Sequence, residues 1–342
     1  MVTMADIAVR AGVSVSTVSR ALKGHARISE MTCQRIQKLA REMGYRPSPL
    51  VQALMKSRRT SGKQEVATFA FITDDYGYED WKRRPTRVEI FSGVARRSEE
   101  LGYRIDTLST KNLNLQSNQL NKVLTARGIS GAIFGFSQAN IPEFPFDASN
   151  LAVVGLASYF SCLALDRVKS NNAYNVEMGL RKLRERDYKK VGLVVPAYNN
   201  DLVGGDWTAA ALEDARTLSQ NLRCPPLVVD SDQYGNEMFF SWLDKYKPEA
   251  LLVYKVPVLS FLKLRKLRPG KDIGLAWIIR DTSRNAVGVN MNYEEVGVAL
   301  VDLLVSKLHT RDFGLREWSR HLLIDGYWVD GASAKKRVQT EI

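Results

Sequence analysis

The segment AGVSVSTVSRALKG (11–24) brings hydroxyl groups and one guanidinium together at helical spacing. Ser14 is a good N-cap for a short helix from Val15 to about Leu22, and Gly24 would end it. Hydroxyls donate or accept single hydrogen bonds, while a guanidinium donates two parallel ones to paired acceptors. That chemistry suits recognition of a polar surface by direct hydrogen bonding. The residues that would face outward from this helix are Val15, Ser16, Ser19 and Arg20.

A further helix is predicted on each side of this one. Thr3 can cap a helix that ends at Gly12, and Ser29 can cap one that ends at Gly44. Two short helices joined by a four-residue turn and backed by a third are the helix-turn-helix plan, which sets its second helix in the major groove of DNA. The alternative is a plain three-helix bundle with a polar face. The apolar positions that predict the inward faces are Met4, Ile7, Ala8, Ala11, Val18, Ala21, Leu22, Ile36, Leu39, Ala40 and Met43.

Positive charge is concentrated at this end of the chain. Residues 1–60 hold eleven Lys and Arg against three Asp and Glu, which places +8 of the net charge of +12 in the first sixty of 342 residues. A basic head on a nearly neutral body indicates a polyanionic partner at that end. The alternative is a solvated basic face that binds nothing.

Three side chains of the second helix have the chemistry to read base edges. Val15 can pack on a thymine methyl group, and Ser16 can donate or accept a hydrogen bond. Arg20, one turn further on, can reach a guanine with two hydrogen bonds or a phosphate.

The stretch MADIAVRAGVSVSTVSRALKGHARISEMTCQRIQKLAREMGYRP (4–47) resembles the DNA-binding headpiece of the LacI/GalR family of repressors. The resemblance includes the core DIAxxAGVSxxTVSRxL and the ending GYRP. It implies that Val15 and Ser16 are the variable base-reading pair and that Arg20 contacts a base. The residues implied to contact phosphate are Thr3, Ser14, Thr17, Ser19 and Tyr45.

The segment after the headpiece, residues 48–63, is predicted to be a hinge helix and linker. Ser48 and Pro49 form a helix start, and Leu50 to Lys56 would make about two turns. Two turns alone are unstable in water, so we expect this helix to form only against a partner. The resemblance implies that it folds on the operator and inserts Leu54, beside Ala53, into the minor groove, which bends the DNA. The alternative is that its apolar residues pack on the next domain.

Residues 64–342 alternate predicted strands with predicted helices. This rhythm favours parallel sheets with helices on both faces, and the length favours two lobes over one sheet. The predicted helices are 86–101, 115–127, 172–186, 207–221, 236–246, 258–267 and 293–308. The predicted strands are 66–73, 104–109, 131–136, 151–156, 162–166, 191–196, 226–230, 250–255, 273–279 and 286–291.

The resemblance extends to the body, which is similar to the two-lobed periplasmic sugar-binding proteins. It implies three crossings between the lobes, with lobe one at about 64–164 and 293–319 and lobe two at about 165–290 and 320–342. The fold class is therefore α/β: a small all-α helix-turn-helix headpiece (1–47) and a hinge helix, followed by a two-lobed, periplasmic-binding-protein-like body that binds an effector and dimerises.

Ligands in such folds bind at the carboxyl ends of the strands. Aromatic rings beside carboxylates and amides there would suit a sugar. The chain departs from the family pattern at three positions, however, where the resemblance places Val203, Leu156 and Ile279 instead of polar ligand-gripping residues. The candidate effector-binding residues are Asp74, Tyr76, Trp81, Phe136, Ser137, Asn199, Trp207, Lys255, Arg280 and Asp281.

Several classes of protein are disfavoured. No phosphate-binding glycine loop, dinucleotide fingerprint or nucleophile elbow is present, and only three histidines and three dispersed cysteines occur. We therefore expect no catalytic residues, no cofactor, no metal site and no disulfide framework. No apolar run is long enough to span a membrane and no signal peptide is evident, so we expect a cytoplasmic protein without a membrane partner.

The predicted function is a sequence-specific, DNA-binding transcriptional regulator. We expect a homodimeric repressor that binds double-stranded DNA at a palindromic operator and is controlled by a small-molecule effector, a carbohydrate by preference. Two alternatives stay open. One is a DNA-binding regulator whose cleft no longer binds a sugar, and the other is a small-molecule binding module with a secondary DNA head.

Overall fold

The computed structural model describes residues 4–22, 28–43, 67–73, 83–110, 119–137, 146–230, 235–280 and 286–336. The chain divides into two compact units, Met1–Glu65 and Val66–Ile342. We call the first the headpiece and the second the body. The predicted hinge helix lies outside the described residues.

The headpiece contains three helices: α1 (Met4–Ala11), α2 (Val15–Leu22) and α3 (Glu30–Glu42). Hydroxyl caps start the second and third, since the backbone N–H of Thr17 donates to Ser14 Oγ and that of Thr32 donates to Ser29 Oγ. The predicted inward positions on all three helices do supply the core. Its buried residues are Ile7, Ala8, Val18, Ala21, Cys33, Ile36 and Ala40.

The body contains two six-stranded sheets. The first has the strand order β11-β5-β4-β3-β1-β2, and every pair in it is parallel. Its strands are β1 (Thr68–Thr73), β2 (Arg104–Ser109), β3 (Gly131–Phe134), β4 (Ala152–Leu156), β5 (Asp166–Ser170) and β11 (His321–Ile324).

The second sheet repeats this order as β12-β10-β9-β8-β6-β7, and only the pair β10–β12 is antiparallel among the described strands. The first strand of each sheet therefore lies between the second and the third, which is the point where the winding direction changes. The strands of this sheet are β6 (Val191–Pro196), β7 (Leu227–Val229), β8 (Ala250–Val253), β9 (Gly274–Trp277), β10 (Val287–Asn290) and β12 (Tyr327–Val329).

Helices connect the strands and cover the sheets. They are α4 (Pro85–Glu100), α5 (Gln119–Ala126), α6 (Asn172–Arg184), α7 (Ala197–Leu202), α8 (Asp206–Arg216), α9 (Gly235–Tyr246), α10 (Val258–Leu264) and α11 (Tyr293–Thr310). Two of them, α4 and α11, approach so closely that a Cβ on Gly297 would lie 2.1 Å from the carbonyl oxygen of Ile90. The glycine pair Gly93 and Gly297 makes this close packing possible.

The chain passes between the sheets three times, after β5, after β10 and after β11. Asn175, which is fully buried, ties these crossings together. Its Nδ2 lies 3.2 Å from the Sδ atom of Met291, and its Oδ1 accepts a 2.8 Å hydrogen bond from the backbone N–H of Gly326. We call the part of the body built on the first sheet, with α4, α5 and α11, lobe one, and the rest lobe two.

The lobe boundaries differ from those expected at 165 and 320. Strand β5 pairs with β4 and β11 pairs with β5, so residues 166–170 and 321–324 belong to lobe one. The strand expected at 162–166 is also misplaced, because Leu163 and Leu165 are buried in the segment before the strand, and the strand itself is DRVKS. Its charged residues, Asp166 and Arg167, are buried through contacts with distant segments.

Asp166 and Lys307 form the buried centre of an ion network. Lys307 Nζ, on α11, lies 3.3 Å from Asp166 Oδ2 and 3.1 Å from a carboxylate oxygen of Asp312. Arg320 Nη2 approaches the same Asp166 oxygen to 2.6 Å, and Arg316 Nε approaches it to 3.0 Å. The network joins the start of β5 to the end of α11 and to the segment that leads into β11.

Candidate nucleic-acid interface and ligand cleft

Helix α2 has one side that is exposed and one that is buried at the positions the structure describes. Val15 is 45% exposed and Arg20 is exposed, whereas Val18 and Ala21 on the other side are fully buried. The predicted inward and outward sides of the helix are thus confirmed at these four positions. Ser16 also lies in α2, and its side chain is outside the described part of the structure.

Both ends of this face are fixed by hydrogen bonds. Ser14 Oγ and Thr17 Oγ1 lie 2.9 Å apart at the start of α2. From α3, Arg35 donates to the carbonyl of Ala11 and Gln37 to the carbonyl of Ala21, each at 3.3 Å. These bonds from α3 reach the carboxyl-terminal ends of α1 and α2, so the third helix braces both.

Part of the predicted set of DNA contacts lies outside the described residues. Thr3, Tyr45, Ala53 and Leu54 lie outside the described residues, as does the side chain of Ser19. The exposed pair Val15 and Arg20 is the part of the predicted base-reading surface that the structure describes.

In the body, polar and aromatic groups gather where the winding of each sheet changes direction. In lobe one, Phe136 and Ser137 follow β3 and are both buried. The guanidinium of Arg87, on α4, lies 4.9 Å from the centre of the Phe136 ring, and its Nη2 donates to the carbonyl of Ser137 at 3.4 Å. Arg87 also lies 5.9 Å from the ring centre of Tyr159, which follows β4.

Tyr293, the first residue of α11, lies between the two lobes. Burial raises the pKa of its phenol well above the ordinary value, and the charges of three neighbours raise it further. Those neighbours are Tyr254 from lobe two and Tyr159 and Glu89 from lobe one. Burial likewise raises the pKa of the Glu89 carboxyl, and the charge of Glu294 adds to that shift. We use the name cleft cluster for Glu89, Tyr159, Trp207, Tyr254 and Tyr293.

Two buried polar atoms near these strand ends have no hydrogen-bond partner among the described residues. One is Nε1 of Trp207, whose ring packs edge-on against Tyr254 with a centroid distance of 5.0 Å. The other is Oγ1 of Thr73, the last residue of β1, which is 1% exposed. Unsatisfied buried polar groups are rare, so each of these is a place where a bound molecule can supply a partner.

The structure brings together only part of the predicted effector set. Phe136 and Ser137 are buried after β3, and Trp207, in α8, is buried against Tyr254. Lys255 is exposed, with its Nζ 5.2 Å from the Tyr254 ring centre. Arg280 instead donates to the carbonyl of Ala286 at 3.0 Å, and Asn199 lies within helix α7. The predicted residues outside the described ranges are Asp74, Tyr76, Trp81 and Asp281.

Five residues of this region were not predicted from the sequence: Arg87, Glu89, Tyr159, Tyr254 and Tyr293. Tyr254 directly follows β8 and Tyr159 follows β4 by three residues, so the same strand-end rule that selected Phe136 would have found both. Glu89 and Arg87 lie on a helix with no local signal that points to a cleft.

Other kinds of site are not seen in the described ranges. They contain no group of three His, Cys, Asp or Glu side chains arranged to hold a metal ion. Nor does any helix in those ranges combine the length and the apolar composition needed to cross a membrane.

Comparison with known proteins agrees with both parts of the structure. Residues 3–48 match the family described as "Bacterial regulatory proteins, lacI family". The HTH-type transcriptional regulator PtxS of Pseudomonas plecoglossicida is 27% identical over 251 residues, which make up 73% of this chain and 70% of that protein. The HTH-type transcriptional repressor CytR of Escherichia coli (strain K12) is 29% identical over 198 residues, 56% of this chain and 53% of CytR, so that match spans about half of the relative's length.

Among solved structures, the lac repressor dimer bound to operator and the anti-inducer ONPF has a similar fold. It superposes with a TM-score of 0.53, covering 98% of this chain and 99% of the other, at 18% sequence identity. At that identity the likeness is one of fold.

Proposed function

We propose that this chain, which belongs to the lacI family of bacterial regulatory proteins, is a transcriptional repressor that binds a palindromic operator as a homodimer and responds to a small molecule. One observation carries the proposal. Helix α2, capped at its start and braced by α3, exposes Val15 and Arg20 while the rest of the headpiece core is closed. A short helix held this firmly, with an unpacked face, is built to contact something outside the protein.

The partner is double-stranded DNA. The charge of +8 in residues 1–60 supplies phosphate affinity, which depends on salt and not on sequence. Direct readout comes from Val15, Ser16 and Arg20 in the major groove. The phosphate contacts that position this helix are Thr3, Ser14, Thr17, Ser19 and Tyr45.

A single headpiece contacts too few base pairs to be selective, so two headpieces related by a two-fold axis read the two halves of a palindrome. Between them, Leu54, with the small residue Ala53 beside it, enters the minor groove and opens one base step. The bend that results is part of the recognition, because DNA sequences differ in how readily they deform.

The effector binds at the cleft cluster. Tyrosine and tryptophan rings offer apolar faces with polar edges, and Glu89 and the Thr73 hydroxyl offer hydrogen bonds. This combination suits a carbohydrate, which has apolar faces and many hydroxyls. The solved lac repressor carries the small molecule ONPF together with operator, and we infer an equivalent arrangement here.

The effector acts on DNA binding through the lobes. A ligand that touches Tyr159 and Glu89 on one side and Tyr254 on the other favours one lobe arrangement over another. The three crossings converge on the buried Asn175, so a change at the cleft alters the relation of the lobes and with it the spacing of the paired hinges.

The DNA-binding part of the proposal is tested by selecting bound sequences from a random pool and then measuring affinity for the selected site and for random DNA. We expect a palindrome to emerge. Replacing Arg20 by alanine should weaken binding to the selected site about 5- to 150-fold, the range for loss of a good base contact, with a much smaller loss on random DNA.

Lys38→Ala is the matched control, since it removes one positive charge from a side chain that is 76% exposed on α3. It should weaken binding to the selected site and to random DNA by the same small factor. Failure to enrich any palindrome at low ionic strength would rule out the proposed function, and equal losses from Arg20→Ala on both DNAs would make Arg20 a phosphate contact.

The effector part is tested separately by thermal unfolding against a panel of neutral mono- and disaccharides. A specific ligand at one hundred times its Kd should stabilise the body by about 2.7 kcal/mol. Unchanged melting curves across the panel would exclude a carbohydrate effector and leave the DNA-binding conclusion intact.

A further inference from the structure

Arg167, the second residue of β5, is 4% exposed, and its guanidinium points into the turn that follows β4. Its Nη1 donates to the carbonyls of Ala157 and Tyr159, at 3.2 and 2.6 Å. Its Nη2 donates to the carbonyls of Phe160 and Leu163, at 2.8 and 2.7 Å. Four backbone carbonyls of one seven-residue turn (157–163) are therefore held by one side chain.

This environment is unusual for a buried cation. Within the described residues no carboxylate forms an ion pair with Arg167, and burial lowers the pKa of its guanidinium while the nearby Cys162 opposes that shift. Because an arginine stays charged in proteins, the four carbonyl dipoles take the place of a counter-ion. The burial of this charge is costly unless the turn keeps the conformation that aims those carbonyls inward.

The turn itself would not hold that conformation alone. Ala157 and Phe160 have φ angles of 49° and 52°, in the left-handed region that side chains disfavour. Such strained residues persist only when their surroundings determine them. Arg167 provides four of the hydrogen bonds that do so, and the buried Phe160 ring, packed on Phe134 at 5.2 Å, anchors the same turn.

The turn carries Tyr159 into the cleft cluster. The Tyr159 ring meets Phe136 edge-on at 6.4 Å and lies 5.9 Å from the Arg87 guanidinium. Gly155 on β4, the register partner of Arg167, leaves room for the arginine, because a Cβ there would lie 3.0 Å from Nη1 and 3.4 Å from Cγ. Two positions on neighbouring strands are thus matched to hold one guanidinium under the turn.

We propose that Arg167 is a positioning residue for the ligand site, which fixes the 157–163 turn through its four carbonyl bonds and thereby sets Tyr159 in the cleft. Lysine cannot replace it, because one ammonium has three donors on a single atom and cannot span four carbonyls. The proposal rests on the proposed effector site only for its consequence in ligand binding. The fixing of the turn is tested without any ligand.

The first experiment compares backbone hydrogen exchange in the full-length wild-type and Arg167→Lys proteins. The substitution keeps the charge, so a change reports the lost hydrogen-bond geometry. We expect amides of the turn, such as those of Tyr159 and Leu163, to exchange at least about tenfold faster, while amides of β8 in lobe two keep their wild-type rates. Lys169→Gln, which removes a cation from the same strand, should leave the turn unchanged.

If Arg167→Lys does not fold, Gly155→Ala makes a smaller displacement of the same guanidinium and should speed exchange in the same turn. Unchanged exchange in the turn, or an equal increase throughout lobe one, would overturn the proposal. The first result would mean that the turn holds itself, and the second that Arg167 is only a general stabiliser of the lobe.

The second experiment uses whichever saccharide of the panel stabilises the wild-type protein. In the wild-type background, Arg167→Lys should weaken saccharide binding about tenfold or more. In a Tyr159→Ala background, the same substitution should weaken it by less than about twofold, because its effect passes through the Tyr159 ring. Equal weakening in both backgrounds would contradict positioning through Tyr159. If the wild-type protein binds no saccharide, the carbohydrate proposal fails, and the exchange data still decide the role of Arg167.

Discussion

The two lobes of the body share one strand order but bury different chemistry. Every buried charged side chain in the described residues belongs to lobe one: Arg87, Asp166, Arg167 and Lys307. The core of lobe two is closed by apolar and aromatic side chains such as Phe239, Trp242 and Leu252. Both lobes have apolar cores, but lobe one adds buried ionic contacts between distant segments, so the two lobes should answer differently to acid and to substitution.

The largest effect is expected from breaking the ion network of lobe one. Asp166→Ala leaves Lys307, whose side chain is 3% exposed, with Asp312 as its remaining carboxylate partner. Removing one member of a buried pair costs about 3–5 kcal/mol of the free energy of unfolding. Urea unfolding of the full-length protein measures this, and hydrogen exchange in β5 and β8 shows which lobe opens. A loss below about 1 kcal/mol would mean that the network is not a main support of lobe one.

In lobe two, a loss of unfolding free energy of similar size is expected from a change in apolar packing. Leu252 lies on the central strand β8 and is fully buried, so Leu252→Ala should cost about 2–5 kcal/mol through lost burial and the cavity that remains. Unlike the loss in Asp166→Ala, which should shrink as the pH falls below about 4, this loss should stay the same on acidification. A cost that varied with pH would show that apolar packing is not what closes this lobe.

In the wild-type protein, acid should destabilise lobe one more than lobe two. Burial alone would raise the pKa of Asp166, but hydrogen bonds from Arg320 and the charge of Lys307 outweigh it and hold that pKa well below the ordinary range. Because the folded value is depressed, the stabilisation is complete above the unfolded value of about 4 and is lost as the pH falls below it. Hydrogen exchange in β5 should therefore accelerate relative to β8 on acidification.

Asp272 of lobe two also has a lowered pKa, of about 2, through hydrogen bonds from Arg268. Arg268 is 64% exposed, so high salt should screen this pair. The difference in acid response between the lobes should therefore persist in 0.5 M salt, where the Debye length is on the order of 4 Å. An acid response that disappears in salt would assign it to surface pairs.

The smallest effect is expected from two matched threonine substitutions, which should change the free energy of unfolding in opposite directions. Thr73→Val replaces a buried hydroxyl that has no partner among the described residues by a methyl group, and should raise the free energy of unfolding by up to about 1 kcal/mol. The same change at Thr208 in lobe two should lower it by about 1 kcal/mol, because that hydroxyl bonds to Gly205 and Asn200. Losses at both positions would show that the Thr73 hydroxyl has a partner in the apo protein.

The headpiece could be predicted closely because its signals are local. Ser14 and Ser29 do cap α2 and α3, and apolar spacing identified Ile7, Val18 and Ile36 as core residues. In the body, the alternation of strands and helices was enough for the α/β class. It was not enough for β5, because the apolar run CLAL looks more like a strand than DRVKS does.

What makes DRVKS a strand lies far away in the sequence. Asp166 is neutralised by Lys307 and Arg320, more than 140 positions on, and no local pattern contains that information. The cleft cluster is similar. Tyr159 and Tyr254 follow strands and were within reach of the strand-end rule, but Glu89 joins them only because α4 packs against α11 across the lobe.

Helix α11 spans 18 residues, or about 27 Å, from Tyr293 at the cleft to Thr310. Near its far end Lys307 grips Asp166 at the amino edge of the first sheet, the edge where β1 starts at Thr68. Between these ends it packs closely against α4 at the glycine contact. The helix is thus one continuous element between the cleft cluster and the amino edge of the first sheet, so a displacement of its first turn would be felt at Lys307 and Asp166.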